Sequence, residues 1–340
     1  MQDDRPAANP LKVFLTYTED EFANYYGQSG LDALARHATV VRNTTGRVLA
    51  GVDLAAAAAG CQLIIAHRSP PGTADTFANA PDLIAFLRGA VDISTIDLPA
   101  ASAHGVLVTR ATPGFSDSVA ELGIGLMVDL ARGISRAGAT YHAGRVPMPV
   151  QGIQLSGSVL GLVGYGRIAR RLSVIARTMG MQVRVHDPYV GEVENGVRTG
   201  TLYEVPGGAD FVVCLALSTP ETVNLFNGAT FAAMKPGAVF VNLSRGELVD
   251  EEALEAALDA GHLRGAGLDV GRAPDQMPSP RLAARPDVVA TSHIGGLTAA
   301  ARNHQAMETV RQVADLAEGR LPAGAVNAEA AHRLSRLGIG

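Results

Sequence analysis

The sequence predicts an α/β protein made of two doubly wound parallel-sheet domains. Three observations carry this expectation. Short apolar runs alternate with helix-like segments along the 340 residues, and such alternation calls for a parallel sheet wrapped by helices. The alternation occurs twice, once before and once after a long apolar helix. Finally, 47% of the residues are hydrophobic, which is enough to give each of two domains its own core.

Taken in order, "MQDDRPAANP" lacks the basic and apolar pattern of a signal peptide and reads as a frayed tail. From Leu11 to about Ala111, "LKVFLTY", "TVVRN", "CQLIIAH", "DLIAFL" and "VLVTRA" read as strands, with "GLDALARHA", "LAAAAAG" and "IDLPAASAHG" as helices between them. The alanine run Ala55 to Ala59 is ended by Gly60, and no apolar run reaches the roughly 20 residues that a membrane span needs. Residues 116–138, "SDSVAELGIGLMVDLARGISRAG", read as one long helix with Ser116 as N-cap and Asp117 in the first turn. Being apolar around much of its circumference, this helix is expected to lie buried between two bodies. After the proline-bearing loop "AGRVPMPVQG" come six further strands, "SVLGLVG", "QVRVHD", "DFVVCLAL", "AVFVNLS", "GAGLDV" and "DVVATSHI", a complete doubly wound set. The closing helix, "TAAARNHQAMETVRQVADLAEG", is long enough to return to the first body, so the first domain is expected to be discontinuous.

Composition narrows the function classes. The net charge is −5 and no basic run offers a footprint for nucleic acid. Lys12 and Lys235 are the only lysines, leaving little scope for a Schiff base. Cys61 and Cys214 stand alone in apolar runs and read as packed thiols, with neither a disulfide framework nor a metal-ligand spacing. A soluble, cytoplasmic chain without a metal or a membrane is the expectation.

"VLGLVGYGRIARRL" joins an apolar strand to an amphipathic helix through Gly164, Gly166 and Ala169. Gly164 permits a tight turn, Gly166 lets the backbone approach a pyrophosphate, and Ala169 lets helix and strand pack closely. Gly180 can close the helix. By itself the glycine pattern is weak in a sequence with 38 glycines. Here it lies between strand and helix, and Asp187 ends the next strand about 20 residues on. An acid at that position accepts hydrogen bonds from the adenosine ribose and repels a 2′-phosphate, which favours NAD over NADP in a Rossmann domain.

Two further residues stand at predicted strand ends, where ligands of such sheets bind. Arg245, in "NLSRGELVD", is an isolated arginine that a surface ion pair would explain. Its place in a glycine-bounded turn lets it grip a carboxylate and polarise an adjacent ketone instead. His293, in "VVATSHIGG", precedes two glycines and is the best placed of nine histidines for proton transfer. His37, His67, His104, His142, His186, His262 and His304 have no such setting and read as structural or surface residues.

In order, "GLVGYGRIAR", "HDPY", "NLSRGELVDEEAL", "LDV" and "HIGG" resemble the D-isomer-specific 2-hydroxyacid dehydrogenases, and the likeness extends from about residue 12 to 320. The resemblance implies a central Rossmann NAD-binding domain, residues 113–301, inserted in a flavodoxin-like substrate domain, residues 1–112 and 302–340. It also implies a homodimer, a small 2-keto or 2-hydroxy acid as substrate, and an Arg, Glu and His catalytic set. Arg245 and His293 match the first and last of these. Arg167 and Ile168 are placed at the pyrophosphate, Asp187 at the ribose and Leu217 and Thr222 on the adenosine side. Leu243, Ser244, Asp269 and Gly296 are placed around the nicotinamide. In the family Glu-Pro stands a few residues beyond "LDV"; here the chain reads "GRAPDQMP", so Asp275 is the expected partner of His293, with Gln276 as the fallback. The substrate loop corresponds to "LRGAVDISTIDL", in which Asp92 replaces a glycine; Val91 and Asp92 are expected at the substrate, with Arg88 offsetting the added charge. Ser292 replaces a proline before the histidine.

Two alternatives remain at this level. A Gln276 amide beside His293 would resemble the formate dehydrogenase branch, in which no proton moves. A non-catalytic NAD(H)-sensing protein would keep the fold and lose turnover. The intact Arg245 and His293 argue against the sensor.

Overall fold

The computed structural model describes residues 11–340; the N-terminal tail lies outside the described residues. The chain divides into two compact units, one comprising residues up to Gly114 together with Ala299–Gly340, the other Phe115–Thr298.

Among its described residues the first unit holds five strands, β1 (Lys12–Leu15), β2 (Thr39–Arg42), β3 (Leu63–Ala66), β4 (Ala85–Arg88) and β5 (Leu107–Arg110). They pair in parallel in the order β2-β1-β3-β4-β5, the arrangement of flavodoxin-like sheets. β3 and β4 are buried at every position, as expected of strands covered on both faces. On one face, the helix Ala299–Ala317 inserts Ala306, Val310, Val313 and Leu316 among Val13, Leu15, Leu63 and Leu87, so the C-terminal part does return to the first unit. Each fully buried aliphatic side chain of this kind contributes about 1.5–3 kcal/mol. On the other face Phe77 and Phe86 meet edge to face among Leu54, Ile64 and Val108.

Several helices of this unit begin where a short polar residue satisfies a free N–H group. Asp97 accepts from Ala100 N at the start of Leu98–Ala103. Two helices absent from the sequence expectation are also present. Glu19–Tyr25 starts in a complete capping box between Thr18 and Glu21, and Ala74–Asn79 starts at Thr73.

The second unit carries seven parallel strands: β6 (Val159–Val163), β7 (Gln182–His186), β8 (Val197–Thr199), β9 (Phe211–Cys214), β10 (Ala238–Asn242), β11 (Leu263–Leu268) and β12 (Val288–Ala290). Their order is β12-β11-β10-β9-β6-β7-β8, a Rossmann arrangement with one additional strand at the β12 edge. The sequence expectation of six strands is corrected to seven. The strand it omits, β8, is three residues long, pairs only with β7, and has only Val197 buried.

The predicted long helix is also corrected. Residues 116–138 form two helices, Ser116–Arg132 and Ile134–His142, separated by Gly133 in a left-handed conformation (φ 67°). The break is held by Asp129, which accepts from Ser135 N at 2.8 Å and from the Ser135 hydroxyl. Ser116 is not the cap: Phe115 occupies that position, Ser116 is the first helical residue, and its hydroxyl is buried without a hydrogen-bond partner. The first helix sets Val119, Leu126 and Met127 against Leu160, Leu162 and Leu172 of its own unit. On the opposite face of the sheet Phe226, Phe231 and Phe240 cluster with ring centroids 4.7–5.8 Å apart.

Candidate active site

All the candidate residues of the second unit lie beyond the carboxyl ends of its strands. The glycine loop leaves β6, which neighbours β7 on one side and β9 on the other, at the point where the strand order reverses. Gly164 has φ 90°, and a Cβ there would overlap the Ala216 backbone, so the turn requires glycine on two counts. Gly166 is the N-cap of the 12-residue helix Arg167–Thr178, and a Cβ built on it meets nothing within 4 Å. An open backbone at the positive end of a helix suits a pyrophosphate. Ala169 is fully buried, as close helix–strand packing demands, and Gly180 (φ 85°) follows the helix end. Arg167 is exposed and Ile168 half-buried.

Asp187 follows β7 directly. Its carboxylate accepts from Tyr165 N in the glycine loop at 2.7 Å and from Tyr189 N at 2.9 Å. These bonds aim it at the loop, and each oxygen keeps lone-pair capacity for a ribose hydroxyl. The Tyr165 hydroxyl donates to Glu194 at 2.6 Å, and Glu194 also binds Arg170 at 2.6 Å. Burial and Glu194 push the Tyr165 phenol up, while that same hydrogen bond holds the Glu194 carboxyl below its usual range. The residues present therefore fit a dinucleotide. On the β9 side, Leu217 is 81% exposed, and Thr222 donates to Leu217 O at 2.7 Å.

Beyond β10, Asn242 organises the arginine turn: its Nδ2 donates to Arg245 O at 2.9 Å and its Oδ1 accepts from Ser244 N at 3.1 Å. The Ser244 hydroxyl donates to Ala216 O, and Leu243 is buried beneath. The exposed Arg245 guanidinium is steadied by one bond to Ser244 O at 2.8 Å. Asn242 O in turn accepts from Asp269 N at 3.2 Å.

Asp269 is 3% exposed and acts as the clamp of the histidine loop. Its carboxylate accepts from the Thr291 hydroxyl at 2.7 Å, Ile294 N at 2.8 Å and Gly295 N at 2.9 Å, and its carbonyl accepts from His293 N at 3.0 Å. One run of hydrogen bonds thus links Arg245 to His293 through Asn242 and Asp269. The sequence reading did not single out Asn242 or Thr291; Asn242, a polar residue ending an otherwise apolar strand, was the available signal.

His293 has φ 55°, a left-handed conformation unusual outside glycine. Its Nδ1 lies 3.0 Å from the main-chain oxygen of Asp275. This contact runs through the Asp275 carbonyl, whereas the sequence reading had proposed the Asp275 carboxylate as the partner of His293. The fallback partner, Gln276, sends its amide elsewhere: Oε1 accepts from Gly246 N at 3.0 Å and Nε2 donates to Glu247 at 2.6 Å. Gly296 is exposed beside Phe115.

In the first unit, Arg88 is fully buried. Its Nη2 donates to Pro70 O at 3.0 Å and to Thr95 at 2.9 Å. Burial pulls its pKa down to about 10 against the opposing pull of Tyr17 and Asp92. The sequence reading placed Arg88 at the substrate, offsetting Asp92; its side chain is buried, with Asp92 among the charges that act on it. Val91 is half-buried, and the exposed Asp92 accepts from Ser94 N at 2.8 Å. The other histidines with side-chain hydrogen bonds or ion pairs hold structure: His67 meets Glu21 at 3.1 Å, and His186, His262 and His304 bond Gly200 O, Met234 O and Thr112. Among the described residues there is no cluster of ligands able to hold a metal ion. No described helix is long and apolar enough to cross a membrane. Both cysteines are buried free thiols, and burial drives Cys214 up to about 12.

Strand order, glycine loop and strand-end residues define a dinucleotide-binding dehydrogenase fold. Residues 124–295 match the family model of the D-isomer specific 2-hydroxyacid dehydrogenase NAD-binding domain. The TT0316 protein of Thermus thermophilus is 32% identical with a TM-score of 0.81, the match covering 93% of this chain and 100% of that one. D-3-phosphoglycerate dehydrogenase 3 of Arabidopsis thaliana is 32% identical over 307 residues, which is 89% of this chain and 52% of the relative. The Sus scrofa D-3-phosphoglycerate dehydrogenase is 34% identical over 283 residues, 82% of this chain and 53% of the relative. The chain belongs to the D-isomer specific 2-hydroxyacid dehydrogenase family, and its second unit is the NAD-binding domain of that family. It spans about half the length of these two phosphoglycerate dehydrogenases.

Proposed function

We propose that the protein is an NAD-dependent oxidoreductase acting between C2 of a small D-2-hydroxy acid and the corresponding 2-keto acid. The observation that carries this reading is the hydrogen-bonded run that fixes Arg245 and His293 together beyond the strand ends of the NAD-binding unit. When bound, NAD(H) supplies or accepts the hydride. Arg245 retains guanidinium donors beyond its bond to Ser244 O, which grip the substrate carboxylate and polarise its carbonyl. The Asp275 carbonyl holds the proton on His293 Nδ1, leaving Nε2 to give a proton to the developing alkoxide in reduction and to remove it in oxidation.

The test is NADH oxidation against glyoxylate, hydroxypyruvate and related 2-keto acids, with D-3-phosphoglycerate and formate tried in the oxidising direction. Turnover of one of the 2-keto acids is expected. Binding of NADH with no turnover of any acid would replace the enzyme reading with the sensor. Turnover of formate alone would move the chain to the formate branch. Asp275→Asn keeps the main-chain carbonyl and a residue tolerant of left-handed backbone. Its rate is expected to fall less than that of a variant lacking the imidazole.

The same reading includes a homodimer. Ile134, Tyr141, Val146, Met148 and Val150 put large apolar side chains into solvent along one stretch of chain, Met148 being 83% exposed. A concentration of this kind favours burial against another surface. Sedimentation at micromolar concentration is expected to show a dimer, which Met148→Asp weakens. A wild type that sediments as a monomer would remove the proposal. A cytoplasmic location is proposed as well, since a reducing compartment keeps both cysteines as thiols.

A further inference from the structure

We propose that Glu247 and Gln276 form a positioning pair that sets the orientation of His293 from the far side of the arginine turn. The pair is described by two contacts that use both ends of one amide. Gln276 Nε2 donates to Glu247 Oε1 at 2.6 Å, and Gln276 Oε1 accepts from Gly246 N at 3.0 Å. Both partners lie in the turn that immediately follows Arg245.

The backbone explains why such an anchor is needed. Asp275 and Gln276 are consecutive non-glycine residues with φ 57° and 59°. Left-handed backbone costs roughly 1–2 kcal/mol at each such residue, so surrounding contacts must hold the pair in place. The loop is closed by Gly271 N donating to Gln276 O at 2.9 Å and Ala273 N donating to Met277 O at 3.0 Å. The side-chain amide fastens the Asp275–Gln276 end of this loop to the 246–247 turn. The peptide unit between Asp275 and Gln276 carries the carbonyl oxygen that meets His293 Nδ1 at 3.0 Å. Its direction is set by the ψ of Asp275 and the φ of Gln276, so fixing Gln276 fixes that acceptor.

Glu247 completes the device as an anion. Burial raises its pKa, but the Gln276 bond, its own backbone, and the charges of Arg245 and Arg272 outweigh this and hold it below the ordinary carboxylate range. Arg272 also donates to Glu247 O at 3.0 Å and to Val249 O at 3.0 Å, pinning the turn from the loop side. The charge of Glu247 is attracted by that of Arg245, and Glu247 reaches His293 through Gln276 and the peptide behind it. Neither member of the pair touches a reacting atom; both act by placing those that do.

The inference rests on the proposed dehydrogenase reading for its kinetic readout but not for its spectroscopic one. The experiment compares wild type, Gln276→Glu, Glu247→Gln and the double swap, each as the full chain with NADH bound. Gln276→Glu sets two carboxylates against each other and is expected to lower kcat by about 10- to 100-fold with little change in KM, as small misplacements of a catalytic group do. In nitrogen-15 spectra of the imidazoles, His293 is expected to lose its Nδ1-protonated signature in the same variant. Glu247→Gln keeps an acceptor for the Gln276 amide but removes the charge, and should give a smaller loss than Gln276→Glu. In the double swap, the amide now at position 247 can donate to the carboxylate now at position 276, which also accepts from Gly246 N. Both signals should then recover, a coupling that a purely structural role would not produce. If Gln276→Glu fails to fold, Glu247→Ala removes the acceptor without adding charge and reads the same two signals. An unchanged tautomer and kcat in a folded single variant, or a folded double swap that recovers neither, overturns the proposal. A wild type that turns over no acid overturns the enzyme reading alone, and the tautomer measurement still decides the pair.

Discussion

His293→Asn is expected to lower kcat for 2-keto acid reduction by about 10²- to 10⁴-fold, the range a positioned acid–base group supplies, with NADH affinity nearly unchanged. Asparagine is the informative replacement because residue 293 has φ 55°, and asparagine accepts that conformation better than most residues. The loop should therefore keep its bonds from His293 N to Asp269 O and from Ile294 N to the Asp269 carboxylate. What disappears is the ring nitrogen that exchanges the proton. Steady-state rates paired with a fluorescence titration of NADH separate the two effects. A variant that retains wild-type kcat would remove His293 from the chemistry.

The second large effect is expected at a residue that does no chemistry. Asp269→Ala removes the acceptor of three donors, the Thr291 hydroxyl and the amides of Ile294 and Gly295, at a position only 3% exposed. Buried donors left without partners cost about 1–3 kcal/mol each; a loss of ~3 kcal/mol corresponds to a fall in Tm of about 6–12 °C for a unit of this size. Activity should fall as well, because the loop carrying His293 is then held to β11 by main-chain bonds alone. Calorimetry on the variant, with and without NADH, checks the first expectation, and kcat at a temperature where the variant is folded checks the second. A variant with wild-type Tm would show that the clamp is not what holds the loop.

Much of the fold was legible because its strongest signals are periodic and bounded. β3, β4, β9 and β10 are wholly buried strands, and in the sequence they are apolar runs ended by turn residues. β8 was not legible: three residues, one of them buried, at a sheet edge produce no pattern. The helix break at Gly133 was missed for a different reason. A glycine inside a helical pattern costs only about 1 kcal/mol relative to alanine and does not by itself end a helix; the Asp129–Ser135 bonds that stabilise the break join residues six apart. The helix Glu19–Tyr25 could have been found, since "TEDE" spells a capping box.

The site divides in the same way. Arg245, Asp187, Asp269 and His293 could be singled out because each lies within three residues of a strand's carboxyl end. The Asp275 carbonyl was not, because it depends on left-handed backbone at non-glycine residues, which composition does not encode. The burial of Arg88 was not legible, because a buried arginine and an exposed one look alike in sequence; its depth follows from β4 being covered on both faces.

The discontinuity of the first unit has a consequence for synthesis. Its core needs Ala306, Val310, Val313 and Leu316, yet the strands they cover are complete by residue 110. At about 5–20 residues per second, translating residues 115–298 takes on the order of 10–40 s. Throughout that interval the nascent chain carries a five-stranded sheet's worth of apolar side chains with one face lacking its cover. The inserted unit has every strand in one continuous stretch and can close first. The NAD-binding unit can therefore close during synthesis, before the unit whose strands precede it in the chain.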